Sequence, residues 1–334
     1  MSSISILGAG SWGTALAVLL ADRAPTLWDH NASRAAALQE GRKNDRYLPG
    51  VVIPGSVSIT GDLASAVGSA EVLVFATPSH TLREVAGRVR GARGFRPQQL
   101  IVNVAKGLEE GTSKRISELL QEELPQPQGA IVSLVGPSHA EEVARRMPTT
   151  VVVAGTDLDI LRQVQDIFAT DTFRVYTNTD LVGVELAVAL KNVIAIAAGI
   201  ADGLGFGDNT KGALLTRGLA EMARLGQALG GRPETFSGLA GLGDLVTTAT
   251  SRHSRNRNLG EAIGRGVPLP QALAQIGMVA EGVRTTRAAR DLARARNLEM
   301  PITEQVYRLL FESQEPQRAI RELMLRAPKA EVWG

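Results

Sequence analysis

Lys191 is a cation in apolar surroundings: Ala187 and Val188 lie one helical turn before it, Ile194 and Ala195 one turn after, and no acid occupies i±3 or i±4. A surface ion pair does not account for it. The bland alternative is a lysine that snorkels to the helix edge or pairs with a distant carboxylate. The chemical one is a desolvated lysine whose pKa falls toward neutrality, suited to exchanging a proton with a substrate hydroxyl or carbonyl. The chain holds only 6 Lys against 30 Arg, and Lys, unlike Arg, can lose its proton when buried. A second centre is Gly8-Ala9-Gly10-Ser11-Trp12-Gly13, with the G-x-G-x-x-G spacing. Gly8 makes a turn, Gly10 lets the backbone approach a pyrophosphate, and a helix N-terminus offers it free amides. Asp29 follows Gly8 by 21 positions, where an acid accepts hydrogen bonds from a ribose 2′-hydroxyl.

Further polar clusters have the same character. Thr77-Pro78-Ser79-His80, Lys106-Gly107 and Gly136-Pro137-Ser138-His139-Ala140 each follow an apolar run, at the strand ends where open α/β sheets bind ligands. For His80 and His139 ordinary turn chemistry is the better reading. Asp244 closes the run Gly238 to Gly243, either as an acid in a site or as the cap of the helix that begins at Leu245. Ser254-Arg255-Asn256 is a donor cluster suited to a phosphate, Arg bidentately, whereas Arg252 and Arg257 also fit a solvated helix face.

These residues need a scaffold. Apolar, β-branched runs at Ile4 to Leu7, Thr26 to Trp28, Val72 to Ala76, Leu100 to Val104, Ala130 to Val135, Thr149 to Val153 and Phe173 to Tyr176 alternate with helical patterns, which predicts a parallel, doubly wound α/β sheet over residues 1–178. Beyond Asn178 no strand pattern recurs, and Gly and Pro punctuate helical segments, so residues 179–334 should form an all-helical substrate and catalytic domain. Leu181 to Ala201 has membrane-spanning length, but Glu185, Lys191 and Asn192 interrupt it; a buried core helix is expected, with no stable membrane insertion.

Composition narrows the rest. At 334 residues, 44% hydrophobic and 21% charged, the chain can bury more than one core. Zero Cys excludes thiol nucleophiles and Cys-ligated metals, the acids show no ligand spacing, and no metal is expected. A net charge of +2 and 4% aromatics argue against a nucleic-acid partner. The N-terminus lacks the pattern of a secretory signal, so the cytoplasm is the default.

With these pieces assembled, the sequence resembles the bacterial NAD(P)-dependent glycerol-3-phosphate dehydrogenases. The resemblance runs through GAGSWGTALA at Gly8, NVAKGLE at Asn103, LVGPSHAEEV at Leu134, the long segment from Glu185 containing LKNV, GLAGLGDLVTTATSRHSRNR at Gly238 and VAEGVRTT at Val279. It implies a Rossmann-type sheet followed by an all-helical domain, and the reversible oxidation of sn-glycerol 3-phosphate to dihydroxyacetone phosphate in the supply of glycerophospholipid precursors. It also implies that Lys191 is the proton acceptor, with Asp244 beside it and Lys106 near both substrate and cofactor. Gly136, Ser138, Ser254, Arg255 and Asn256 would hold the substrate. Ser11, Trp12, His30, Lys106, Ala140, Arg255, Val279 and Glu281, with the glycines Gly8, Gly10 and Gly13, would hold the dinucleotide. A homodimer is implied. A related dehydrogenase of another hydroxy or keto substrate, and a non-catalytic dinucleotide sensor, are the alternatives. Asp29 favours NAD over NADP, against which stand His30, Asn31, Ser33 and Arg34 as a loop able to take a 2′-phosphate.

Overall fold

The computed structural model describes residues 2–126, 129–277, 280–328 and 330–331. Strands β1 (Ile4–Leu7), β2 (Thr26–Trp28), β3 (Lys43–Asn44), β4 (Leu48–Val52), β5 (Ser58–Thr60), β6 (Val72–Phe75), β7 (Leu100–Asn103), β8 (Ile131–Val135), β9 (Thr149–Ala154) and β10 (Phe173–Asn178) precede a series of helices. Among the strands lie α1 (Ser11–Leu19), α2 (Ala32–Gly41), α3 (Leu63–Ser69), α4 (Leu82–Arg90), α5 (Ile116–Glu123), α6 (Ala140–Val143) and α7 (Leu158–Phe168). After them come α8 (Leu181–Gly203), α9 (Asp208–Ala228), α10 (Pro233–Ser237), α11 (Asp244–Thr250), α12 (Arg255–Gly264), α13 (Leu269–Ile276), α14 (Glu281–Arg294), α15 (Pro301–Phe311) and α16 (Pro316–Met324).

The eight-stranded sheet has the order β10-β9-β8-β7-β6-β1-β2-β5. From β5 to β8 this is the 3-2-1-4-5-6 order of dinucleotide-binding sheets, whose order reverses beside β1. Central strands such as β1, β6 and β7 are buried at every position, as expected of parallel strands covered on both faces. On one face Ile6, Val74 and Val102 pack with residues of α1, α2 and α7; on the other Leu7, Phe75 and Ile101 pack with residues of α3, α4 and α5. Local signals set the helix starts: the Asn31 and Asp157 side chains accept backbone N–H groups at the starts of α2 and α7, and Pro stands in the first turn of α10, α13, α15 and α16.

Two features correct the expected all-parallel sheet. Strand β9 runs antiparallel to β8, with Ser133 opposite Ala154 and Val135 opposite Val152, and the edge strand β5 is an addition to the predicted set. Outside the sheet, β3 and β4 form a separate antiparallel hairpin.

Beyond β10 the described residues are helical, the change of pattern falling at Asn178. The compact units are nevertheless discontinuous in sequence: Met1–Ala189 with Gly226–Asp244 in the first, Leu190–Leu225 with Leu245–Gly334 in the second. The first unit keeps the start of α8 because Asp180 accepts from the Arg232 backbone N–H at 2.8 Å and the Thr235 hydroxyl at 2.7 Å. Helix α8 is long and apolar enough to cross a membrane, but 83% of its most apolar window is buried inside the protein.

Candidate active site

In the first unit, three consecutive residues of the glycine loop are tied to three different elements. The Gly8 N–H donates to the Trp28 carbonyl of β2 at 2.9 Å, the Ala9 carbonyl accepts from the Asn44 side chain at 3.0 Å, and the Gly10 carbonyl accepts from the Thr14 N–H of α1 at 3.0 Å. Gly8 has φ +121°, and a Cβ at Gly13 would stand 1.9 Å from the Gly8 carbonyl oxygen, so both positions require glycine. At Gly10 nothing lies within 4 Å of where a Cβ would be, and no side chain caps α1. Open space over uncapped helix amides fits the pyrophosphate of a dinucleotide.

Asp29 directly follows β2 and is fully buried. Its Oδ1 accepts from the Asn31 N–H at 2.9 Å, and its Oδ2 accepts from Arg34 Nε at 2.8 Å and also from Arg34 Nη2. The sequence set these two residues against each other in the choice of cofactor; the fold makes them an ion pair, and Arg34 Nη1 also donates to the Tyr47 hydroxyl at 3.2 Å. Asp29 is therefore not a bare carboxylate awaiting a ribose, and its charge is already paired where a dinucleotide would be chosen. His30 is mostly exposed, its Nδ1 3.5 Å from Asp29 Oδ1.

At the ends of β7 and β8 the structure gathers four of the expected residues. Lys106 Nζ donates to the Gly136 carbonyl at 2.7 Å and to Asp244 Oδ2 at 2.8 Å, and the Ser138 hydroxyl donates to the same Gly136 carbonyl at 2.9 Å. Asp244 is the first residue of α11; its buried carboxylate meets a lysine, a larger role than capping the helix. Asn103 holds the Lys106 loop: its Oδ1 accepts from the Ala105 N–H at 2.9 Å, and its Nδ2 donates to the Ala105 carbonyl and to Ser133 Oγ, both at 3.1 Å. Ser133 in turn donates to Glu185 on α8 at 2.7 Å. Glu185 also accepts from the Ser117 N–H and hydroxyl and from Arg115 Nη1 at 3.0 Å. Burial pushes the Glu185 carboxyl above its ordinary pKa, against the Arg115 charge and the serine hydrogen bonds.

In the second unit Lys191 is 4% exposed, and its Nζ donates to the Thr248 hydroxyl. Thr248 had no role in the sequence reading. Its signal was a place one helical turn after Asp244 in the sequence. Asn192, also unassigned from sequence, accepts from Asn256 Nδ2 at 3.0 Å, while Asn256 Oδ1 accepts from the Gly282 N–H at 3.0 Å. Ser254 caps α12 by accepting from the Arg257 N–H at 3.2 Å, and Arg255 begins that helix.

The docking of α12 on α8 is made by glycine. A Cβ at Gly260 would stand 2.0 Å from the Ile196 carbonyl oxygen, one at Gly264 2.4 Å from that of Ile200, and one at Gly199 1.9 Å from that of Arg257. Backbones this close leave no room for side chains, and they bring Asn256 against Asn192, the neighbour of Lys191. Arg257, read as a candidate for a solvated face, instead binds Asp202 at 2.8 Å and Glu261 at 2.9 Å. Glu281 begins α14, Ala140 begins α6 and is buried, and Ser11 and Trp12 open α1. Val279 lies outside the described residues.

Comparison with known proteins finds two family profiles. The N-terminus of NAD-dependent glycerol-3-phosphate dehydrogenase matches residues 3–161, and the C-terminus of the same family matches residues 180–321. The chain is 54% identical to glycerol-3-phosphate dehydrogenase [NAD(P)+] of Desulfitobacterium hafniense over 99% of its own length and 94% of the relative's. To the protein of the same name from Chlorobium limicola it is 53% identical, over 99% of each chain. The crystal structure of glycerol-3-phosphate dehydrogenase from Coxiella burnetii superposes with a TM-score of 0.91 at 40% identity, covering 97% of this chain and 99% of that one.

Proposed function

The chain belongs to the NAD-dependent glycerol-3-phosphate dehydrogenase family, and we propose that it interconverts sn-glycerol 3-phosphate and dihydroxyacetone phosphate with NAD or NADP, supplying the precursor of glycerophospholipids. The nicotinamide, when bound, takes or returns the hydride at C2. Lys191 is the group assigned to the C2 oxygen: neutral, it accepts the hydroxyl proton during oxidation; as ammonium, it protonates the developing alkoxide during reduction. The observation that carries this reading is a lysine 4% exposed on an apolar helix, beside an Asn192 that fixes the Ser254-Arg255-Asn256 cluster through Asn256.

Arg255 and Asn256 are assigned to the substrate phosphate, held at the start of α12 where amide dipoles favour an anion. Binding energy gained at that remote group orients C2. Lys106, neutralised by Asp244 and anchored to the Gly136 carbonyl, is assigned to both substrate and dinucleotide, with Ser138 and Gly136 beside it. Asp244 and Thr248 hold the two lysines. The glycine loop with Ser11 and Trp12 is assigned to the pyrophosphate, and His30, Ala140 and Glu281 to the rest of the dinucleotide. A cytoplasmic homodimer completes the proposal, supported by the family resemblance; the burial of the apolar helix α8 inside the protein argues against its insertion in a membrane.

The test is loss of the reduced-nicotinamide absorbance on adding dihydroxyacetone phosphate. Lys191→Ala should lower kcat by at least 10² to 10⁴-fold, the usual worth of general acid–base help, with dinucleotide affinity nearly unchanged. Lys191→Arg should fail as well, since guanidinium keeps its proton. Retention of more than half of wild-type kcat in either variant would remove Lys191 from the role, and equal turnover of a non-phosphorylated ketone would remove the phosphate assignment.

A further inference from the structure

The β3–β4 hairpin lies outside the main sheet, yet its contacts converge on the glycine loop. Asn44, buried at 2% exposure, uses both protons of its amide there: one goes to the Ala9 carbonyl of the loop at 3.0 Å, the other to Thr14 Oγ1 in the first turn of α1 at 2.8 Å. Leu48 and Val51 of the same hairpin are buried in a cluster with Ala15 and Val18 of α1 and with Ala140 at the start of α6.

Among the described residues Asn44 is the one side chain seen to hydrogen-bond a backbone group of the stretch Gly8 to Gly13. The Gly8 and Gly10 ties are backbone bonds, one to β2 and one within the first turn of α1. The Ala9 carbonyl is different, because a free carbonyl in a loop that must receive an anion can turn toward the anion, where its partial negative charge would repel it. An amide donor on that oxygen holds it away and leaves the amides of α1 to face the ligand. The bond to Thr14 fixes the same amide against the first turn of α1, so that loop and helix move as one body.

We propose that Asn44 is a positioning residue for the dinucleotide, and that the β3–β4 hairpin is a strap that sets the glycine loop before the cofactor arrives. Asn44 does not touch the cofactor in this account; it acts through the Ala9 carbonyl. The proposal rests on the dinucleotide reading of the glycine loop.

The test is titration of the purified full-length protein with NADH and with NADPH, followed by tryptophan fluorescence, for wild type, Asn44→Ala and Asn44→Leu, which fills the site and loses both donors without adding a charge. Amide hydrogen exchange across residues 8–14 without cofactor is read in parallel. Kd should rise roughly fivefold to thirtyfold in both variants, the loss of one or two neutral hydrogen bonds. Loop exchange should quicken, while KM for dihydroxyacetone phosphate and kcat at saturating cofactor stay within about twofold. A merely structural role would lower the melting temperature and leave the Kd of the folded protein unchanged, and that result overturns the proposal. If neither variant folds, Thr14→Val removes one of the two acceptors; faster exchange at Ala9 with a raised Kd supports the proposal, and no change in either overturns it. Absence of dinucleotide binding by the wild type would instead overturn the reading on which the proposal stands.

Discussion

Removing Arg34 tests how the cofactor is chosen. Asp29 is fully buried, and Arg34 covers its Oδ2 with two N–H groups while remaining 23% exposed itself. Breaking a buried pair by deleting one partner costs about 3–5 kcal/mol; the partial exposure of Arg34 lets water repay some of that, and about 2–3 kcal/mol is expected here. The functional consequence is separate from the loss of stability. With Arg34 present, a 2′-phosphate arriving at the end of β2 meets a neutral pair and a guanidinium that can share a hydrogen bond with it. In Arg34→Ala it meets a carboxylate left, among the described residues, with the Asn31 N–H and a mostly exposed His30. Like-charge juxtaposition costs several kcal/mol when dry, and with water admitted into the space the Arg34 side chain leaves, about 2 kcal/mol is expected, or roughly 30-fold. The ratio of kcat/KM for NADPH to that for NADH should fall by about that factor, measured from initial rates at fixed dihydroxyacetone phosphate. Asp29→Asn should move the ratio the other way by freeing the guanidinium. A lowered melting temperature with an unchanged ratio would refute the reasoning, because the pair would then be a structural tie remote from the ribose.

Two further outcomes follow from the second unit. Glu221 accepts the Ile302 N–H at 2.6 Å and the Thr303 N–H at 3.1 Å at the start of α15, and burial pushes its carboxyl from 4.5 up to about 7. The folded state therefore holds its proton to higher pH than the unfolded state does, so stability falls by about 3 kcal/mol as pH rises from 4.5 to 7 and is flat above; Glu221→Gln should flatten that slope in melts taken across pH 5 to 8. Gly260→Ala would place a methyl 2.0 Å from the Ile196 carbonyl oxygen, forcing α12 off α8 at a cost of at least about 1–3 kcal/mol. KM for dihydroxyacetone phosphate should rise in that variant while the Kd for dinucleotide holds, and an unchanged KM would dissociate the helix contact from phosphate binding.

How legible the fold was depended on burial. Strands such as Val72–Phe75 and Leu100–Asn103 are apolar at nearly every position because both faces of the sheet are covered, and that run is visible without any partner. Ser58–Thr60 is three residues long with one buried, too short to stand out, and Leu48–Val52 carries Pro49 and Gly50, which read as a turn. The reversed direction of β9 is invisible for another reason: an apolar strand looks the same whichever way its neighbour runs, and direction is decided by the chain that connects them.

The site divides along the same line. Lys191 announced itself locally, as a charge in an apolar helix, and so did the glycine spacing and the Ser254 to Asn256 cluster. What each of these residues touches was not local. Lys106 meets Asp244 across 138 positions, Arg115 meets Glu185 across 70, and Asn44 reaches the glycine loop across 35. A buried polar group must find a partner or be excluded from the core, so the sequence can disclose that a partner exists without disclosing which residue it is. The same necessity applies to Asp29 and Arg34, which read as opposed signals in sequence and form an ion pair in the fold. Five positions apart, each has a separate use for a ligand, and only the folded chain, in which the Asp29 carboxylate is fully buried, brings the Arg34 guanidinium onto it.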